Sequence, residues 1–129
     1  SAGKLRNAVP SEAVAVVTVP DEGVADMIEF IRMAENELKD VYAGVDDGLM
    51  LDVEAVETPS KQIPEEVQDD IINAICGAPD GVYRHLAGKA DVEASLNHSY
   101  ITTESGSVTI GMLLRSARAV TMSEVYETV

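Results

Sequence analysis

The chain has 129 residues, 46% hydrophobic and 25% charged, a composition that suits one globular domain with a core of its own. Nine basic residues against 23 acidic ones leave a net charge of −14, a field that repels phosphate backbones and anionic lipid, so neither nucleic acid nor a membrane surface is an expected partner. No apolar run approaches the roughly 20 residues of a bilayer span, the N-terminus carries no signal-peptide hydrophobic stretch, and the lone cysteine, Cys76, rules out an internal disulfide and fits a reducing, cytoplasmic setting.

In chain order, Ala13–Val19 is apolar, rich in β-branched residues and closed by Pro20, which predicts a buried strand. From Asp21 the period changes. Val24, Met27, Ile28, Ile31, Ala34, Leu38 and Val41 recur at three- and four-residue steps, so a helix is expected over about 21–43, with Asp21 and Glu22 near its positive end and Gly44 as its stop. Leu49–Glu57 alternates, with Leu49, Leu51, Val53 and Ala55 on one side and Asp52 and Glu54 on the other, the pattern of a half-exposed strand. A second helix is expected over about 64–77, opening on Pro64 and two carboxylates, burying Val67, Ile71, Ala74 and Ile75, and ending at Gly77 and Pro79. A Gly- and Asp-rich loop then leads to two alternating runs flanking Ser105-Gly106, a hairpin signal, and a third helix begins near Thr121. A tight two-residue turn would set Leu96 opposite Arg115, and a slip of one residue would set Asn97 there. The expected fold is α+β: residues 1–129 as a single domain, a mixed, largely antiparallel sheet of about four strands with the two long helices on one face.

Chemistry-bearing residues are few. The two histidines, His85 and His98, have no metal-ligand spacing to each other or to a carboxylate, and there is no phosphate loop, nucleophile elbow or paired cysteine. On its own residues the chain is not expected to be an enzyme or to bind a metal or cofactor. Cys76, at the end of an apolar stripe, reads as a buried thiol. Two polar residues admit two readings each. Arg115 is either a strand-end cation or a planar fork placed to receive a carboxylate. Asn7 is either a turn residue ahead of Pro10 or an amide that donates to a substrate oxygen.

The segments GKLRNAVPSEAVAVV (3–17), ICGAPDGVYR (75–84), EASLN (93–97) and VTIGMLLRSA (108–117) resemble, in order and rough separation, the aminoacyl-histidine (Xaa-His) dipeptidases of the carnosinase-like zinc metallopeptidase superfamily. The resemblance implies a lid and dimerisation domain, ferredoxin-like in fold, that is inserted into a catalytic domain and closes over its pair of zinc ions. The zinc-ligand motifs of that catalytic domain are absent from this chain, as is the Gly-Gly-His segment upstream of the Asn motif, so the expectation is a lid fragment, inactive alone. The implied partners are the parent catalytic domain, a dipeptide with C-terminal histidine and a second copy in a homodimer. By the same resemblance Asn7 contacts the substrate over the zinc site and Arg115 engages its C-terminal carboxylate, with Asn97 as a secondary substrate-binding candidate. His98 stands where the family usually has an apolar residue. The competing reading is a stand-alone small-ligand-binding or regulatory α+β domain unrelated to peptidases.

Overall fold

Pro20, with φ −56° and ψ 145°, ends an extended stretch, and the acidic pair behind it opens a single 3-10 turn, Asp21–Gly23, that runs directly into α1, Val24–Val41. The computed structural model describes residues 1–128, which divide into two compact units, residues 16–62 and residues 1–15 together with 63 onward.

In the 16–62 unit, α1 half-buries Met27, Ile28, Ile31, Ala34 and Leu38, the stripe expected from spacing, while Val24 and Val41 at its ends are exposed. It stops where Gly44 takes φ +73°, a conformation that costs a glycine little, and the Gly44 amide donates to Asp47 Oδ1 at 2.7 Å. Glu35 ties this helix to the chain that follows: its Oε1 accepts from Lys39 Nζ at 2.7 Å and from the Leu51 amide at 3.4 Å. The hydrogen bond from Lys39, one turn away, holds the Glu35 carboxyl below its ordinary value, with the Leu51 amide adding to the effect.

The strands expected at Ala13–Val19 and Leu49–Glu57 are not formed: both segments run extended with no ladder, apart from a single bridge from Ala13 to Ala2. Alternation and β-branching define a face, but a strand exists only where another backbone pairs its N–H and C=O groups along its length; among the described residues Leu49–Glu57 has no such partner, and Ala13–Val19 is met only at Ala13 and Val14, by Ala2 and Ser1. Val14, Val16 and Val17 are more than half exposed instead.

The other unit holds α2, Glu65–Gly77, and an antiparallel sheet in the order β1 (Gly81–His85), β2 (Val92–Glu104), β3 (Ser107–Ser116), followed by α3, Ala119–Tyr126. The fold is α+β, with three strands in the sheet against an expectation of about four; β1 lies in what the sequence presents as a loop. The turn between β2 and β3 is Ser105-Gly106, at φ 51° and 82°, the positive-φ pair that a two-residue hairpin matched to strand twist requires. Of the expected stripe on α2, Ile71 and Ile75 are half-buried, whereas Val67 and Ala74 are exposed. The helix's last turn and Ala78 border a cleft shared with Ile110 and Met112, which places α2 beside one face of β3.

Behind β2 a polar cluster fastens α3. Glu93, 5% exposed, accepts from the Thr121 hydroxyl at 2.5 Å, and that hydroxyl in turn accepts from Arg84 Nη1 at 3.2 Å. Arg84 Nη2 donates to Glu124 at 2.8 Å, a contact that raises the guanidinium above its ordinary value, and Arg118 Nε lies 3.9 Å from Glu93. A buried carboxylate is tolerable only when its oxygens are met in this way. Val125, fully buried one turn after Thr121, adds the apolar part of the same junction, and Ala94 and Leu96 are the buried apolar residues of β2.

Gly111 on β3 lies opposite Tyr100, whose ring occupies the space a side chain at 111 would need. Replacing Gly111 with Ala is therefore expected to displace the ring at about 1–3 kcal/mol, read as a lower denaturant midpoint. Gly77→Ala is the control: it meets open space at a helix end and is expected to be neutral or mildly stabilising.

Glu35 yields a pH prediction. A carboxyl held low in the folded state stabilises the folded form above its unfolded value, and that contribution fades as pH falls through the folded one. The Glu35 carboxyl resonance should titrate below the ordinary carboxylate range, and Lys39→Met should raise its midpoint.

Candidate functional site

The hairpin register carries one extra residue. From Glu104↔Ser107 to Tyr100↔Gly111 the pairing is regular, but the next pair is His98↔Met112, then Asn97↔Leu113, Leu96↔Leu114 and Ser95↔Arg115. Ser99 is the unpaired residue of a β-bulge. Arg115 therefore faces Ser95, and neither of the two registers considered from sequence, Leu96 or Asn97 opposite Arg115, is the one formed. The bulge also changes which side chains share a face. Asn97 and Tyr100, three apart, would point to opposite sides of a regular strand; here they lie opposite Leu113 and Gly111, two apart on β3, and so share a side. Ser95, Asn97, Tyr100, Leu113 and Arg115 make up that face. Leu96, His98, Met112 and Leu114 lie on the other, toward the cleft beside α2.

The N-terminal segment reaches the same part of the sheet. Ala2 exchanges two backbone hydrogen bonds with Ile101, at 2.9 and 2.8 Å, on the edge of β2 that β1 leaves free past Leu96. Gly3 then turns at φ +59°, where a Cβ would collide with the Ser99 carbonyl oxygen. Leu5–Ala8 forms a turn closed by Ala8 N to Leu5 O at 3.4 Å, with Arg6 and Asn7 in its middle. Lys4 and Glu12 pair across the mouth of the loop at 3.3 Å, both exposed. The loop and Ser99 enclose a cleft of about 380 Å³ lined by Leu5, Ala8 and Pro10 among others.

Two side chains of β2 hold this turn. Asn97 Nδ2 donates to the Ala8 carbonyl at 3.3 Å and to Ser99 Oγ at 3.0 Å, and Ser99 Oγ donates to the Arg6 carbonyl at 2.7 Å. The carbonyls of the two residues that flank Asn7, Arg6 and Ala8, are thereby tethered to the bulge. The Asn7 side chain itself is exposed and has no hydrogen-bond partner among the described residues. Arg115 is exposed too, and no carboxylate among the described residues lies within ion-pair distance of it. The structure thus brings Asn7 and Asn97 together and puts Arg115 on the same face, one pair of rungs along the ladder from Asn97, roughly 7 Å. Asn7 sits in a turn, and its side chain is exposed.

His98 is not part of this face. Asp80 Oδ1 accepts from the His98 backbone amide at 3.0 Å and lies 3.2 Å from Nδ1, while Nε2 is buried without a partner. Cys76, expected to be buried, is exposed: α2 turns only Ile71 and Ile75 inward, and the thiol falls on its other side. Among the described residues no group of three or more His, Cys, Asp or Glu is placed to hold a metal ion, and no helix is long and apolar enough to cross a membrane. Ser99 escaped sequence reasoning. Its one visible signal is the polar run Asn97-His98-Ser99, which interrupts the alternation of β2.

No family model matches the chain. Over 115 residues, 88% of its length, it is 30% identical to the cytosol non-specific dipeptidase of Escherichia coli strain K12, of which that stretch is 24%. The crystal structure of aminoacylhistidine dipeptidase from Vibrio alginolyticus superposes with a TM-score of 0.93 at 31% identity, over 98% of this chain and 26% of the other. The chain spans about a quarter of each relative. Along nearly its whole length it is similar in sequence and fold to one segment of these dipeptidases, as the resemblance of residues 3–17, 75–84, 93–97 and 108–117 implies.

Proposed function

We propose that this chain is the lid and dimerisation domain of a cytoplasmic, zinc-dependent Xaa-His dipeptidase, a single domain over residues 1–129 that works only beside a catalytic domain lying outside it. The observation that carries this reading is the agreement of fold and sequence with a quarter-length segment of an aminoacylhistidine dipeptidase, in which Asn7 and Arg115 fall in matched segments. The common face of Asn7, Asn97 and Arg115 supports it. So does α1, where Phe30 and Met33 are 66% and 65% exposed, an apolar surface that a catalytic domain or a second copy would cover.

In this reading the zinc ions, held by catalytic-domain residues, supply the electrophilic chemistry, and this chain supplies recognition. Arg115 receives the C-terminal carboxylate of the dipeptide in a bidentate contact that fixes both charge and direction. Asn7 donates its amide N–H to the scissile carbonyl oxygen, a bond that strengthens as negative charge grows there and that needs no titratable group. Asn97 serves the same site through the turn that bears Asn7. The carboxylate subsite selects short peptides with a free C-terminus, and a histidine side chain there would be read by the catalytic domain.

The isolated chain should not hydrolyse β-alanyl-histidine or glycyl-histidine at any zinc concentration; hydrolysis by material free of contaminating peptidase would contradict the lid reading. In the full-length enzyme Arg115→Ala should lower kcat/KM by roughly ten- to a hundredfold, the loss of a charge-assisted contact of about 1.5–3 kcal/mol, with zinc content unchanged. Arg115→Lys keeps the charge without the fork and should restore part of it. Asn7→Ala should act mainly on kcat, while Lys89→Ala, outside the matched segments, serves as the control. Near-wild-type kinetics for Arg115→Ala would return that residue to the role of a strand-end cation.

A further inference from the structure

The Arg6–Ala8 turn bears the residue proposed to meet the substrate carbonyl, yet nothing within the turn except one long hydrogen bond, 3.4 Å, fixes its shape. Its remaining anchors come from the bulge. Ser99 is 1% exposed, and its hydroxyl has a single proton. Two acceptors lie within reach, the Arg6 carbonyl at 2.7 Å and the Asn97 carbonyl at 3.5 Å, and the shorter contact takes the proton. The hydroxyl's lone pairs are then free to accept from Asn97 Nδ2, whose second hydrogen goes to the Ala8 carbonyl. Every donor of the pair is used, and both carbonyls that bracket Asn7 are met. The close pass of Gly3 over the Ser99 carbonyl, possible only without a Cβ, holds the loop against the bulge from the other side.

From this geometry we infer that Ser99 is a positioning residue: it acts through the Arg6 and Ala8 carbonyls, with Asn97 as its relay, to set the orientation of the Asn7 amide. The catalytic consequence rests on the lid reading; the anchoring of the turn does not.

Two measurements separate the two claims. In this chain, hydrogen exchange of the Ala8 amide, the one N–H of residues 5–9 with a hydrogen-bond acceptor among the described residues, reports anchoring of the turn. Ser99→Ala should accelerate exchange there roughly five- to tenfold while leaving Leu113 and Leu114 protected, and Ser99→Thr, which keeps the hydroxyl, should restore slow exchange. Unchanged exchange in Ser99→Ala would overturn the inference. In the full-length enzyme Ser99→Ala should lower kcat with little change in KM, and combined with Asn7→Ala it should add nothing further, because both act on one amide. Additive losses would overturn the positioning role. If Asn7→Ala alone leaves kcat intact, the lid reading falls, and faster exchange in Ser99→Ala would still establish Ser99 as the anchor of the turn.

Discussion

One extra residue in β2 governs the geometry of this molecule. With Ser99 outside the ladder, the two halves of the strand are out of phase, and the polar side chain of Asn97 comes to lie on the same side as Tyr100, Leu113 and Arg115. At the same residue the Ser99 hydroxyl donates to a carbonyl of the N-terminal turn. Bulges bend and twist a strand locally, and here the bend coincides with the place where Ala2 takes over from β1 as the neighbour of β2. Register, edge pairing and loop anchoring all depend on that one insertion.

The two faces of the sheet then have different work. Ile110 and Met112 line a cleft with the end of α2 on one face. The other carries the amide and guanidinium groups that suit recognition of a peptide carbonyl and a carboxylate. At the far end the Glu93–Thr121–Arg84–Glu124 cluster secures α3 by hydrogen bonds, with Val125 fully enclosed beside it. A carboxylate that is 5% exposed tolerates this position because a hydroxyl and two guanidiniums surround it, so the junction is specific in geometry even though its apolar core is small. Few of the described residues are buried, and large apolar side chains are exposed on α1 and along residues 14–17.

On the proposed lid reading, recognition of a carboxylate and a carbonyl by Arg115 and Asn7 has a physical logic in so acidic a chain. With a net charge of −14, the general field opposes a carboxylate-bearing ligand, so binding must come from a local, directional contact. A guanidinium supplies two parallel donors to one carboxylate, and an amide supplies a neutral donor that carries no charge cost in either state of the reaction.

Much was legible in the residues themselves because it depends on local periodicity. The stripe from Met27 to Leu38 specified α1, Pro64-Glu65-Glu66 and Gly77 bounded α2, and Ser105-Gly106 specified the hairpin, since each rests on interactions within a few residues. The ordered segments around Asn7 and Arg115 were likewise enough to point to the dipeptidases. Pairing was not legible. Ala13–Val19 and Leu49–Glu57 have strand-like patterns but no backbone beside them beyond the bridge at Ala13 and Val14, while Gly81–His85, weak in pattern, became a strand because β2 offered it an edge. The bulge at Ser99, the partner of Arg115 and the tether between Asn97 and the Asn7 turn are contacts across 89 residues or more or shifts of a single rung, and only the tertiary structure decides those. Alternation tells a strand which way its side chains point; the neighbour it finds determines where that pattern breaks.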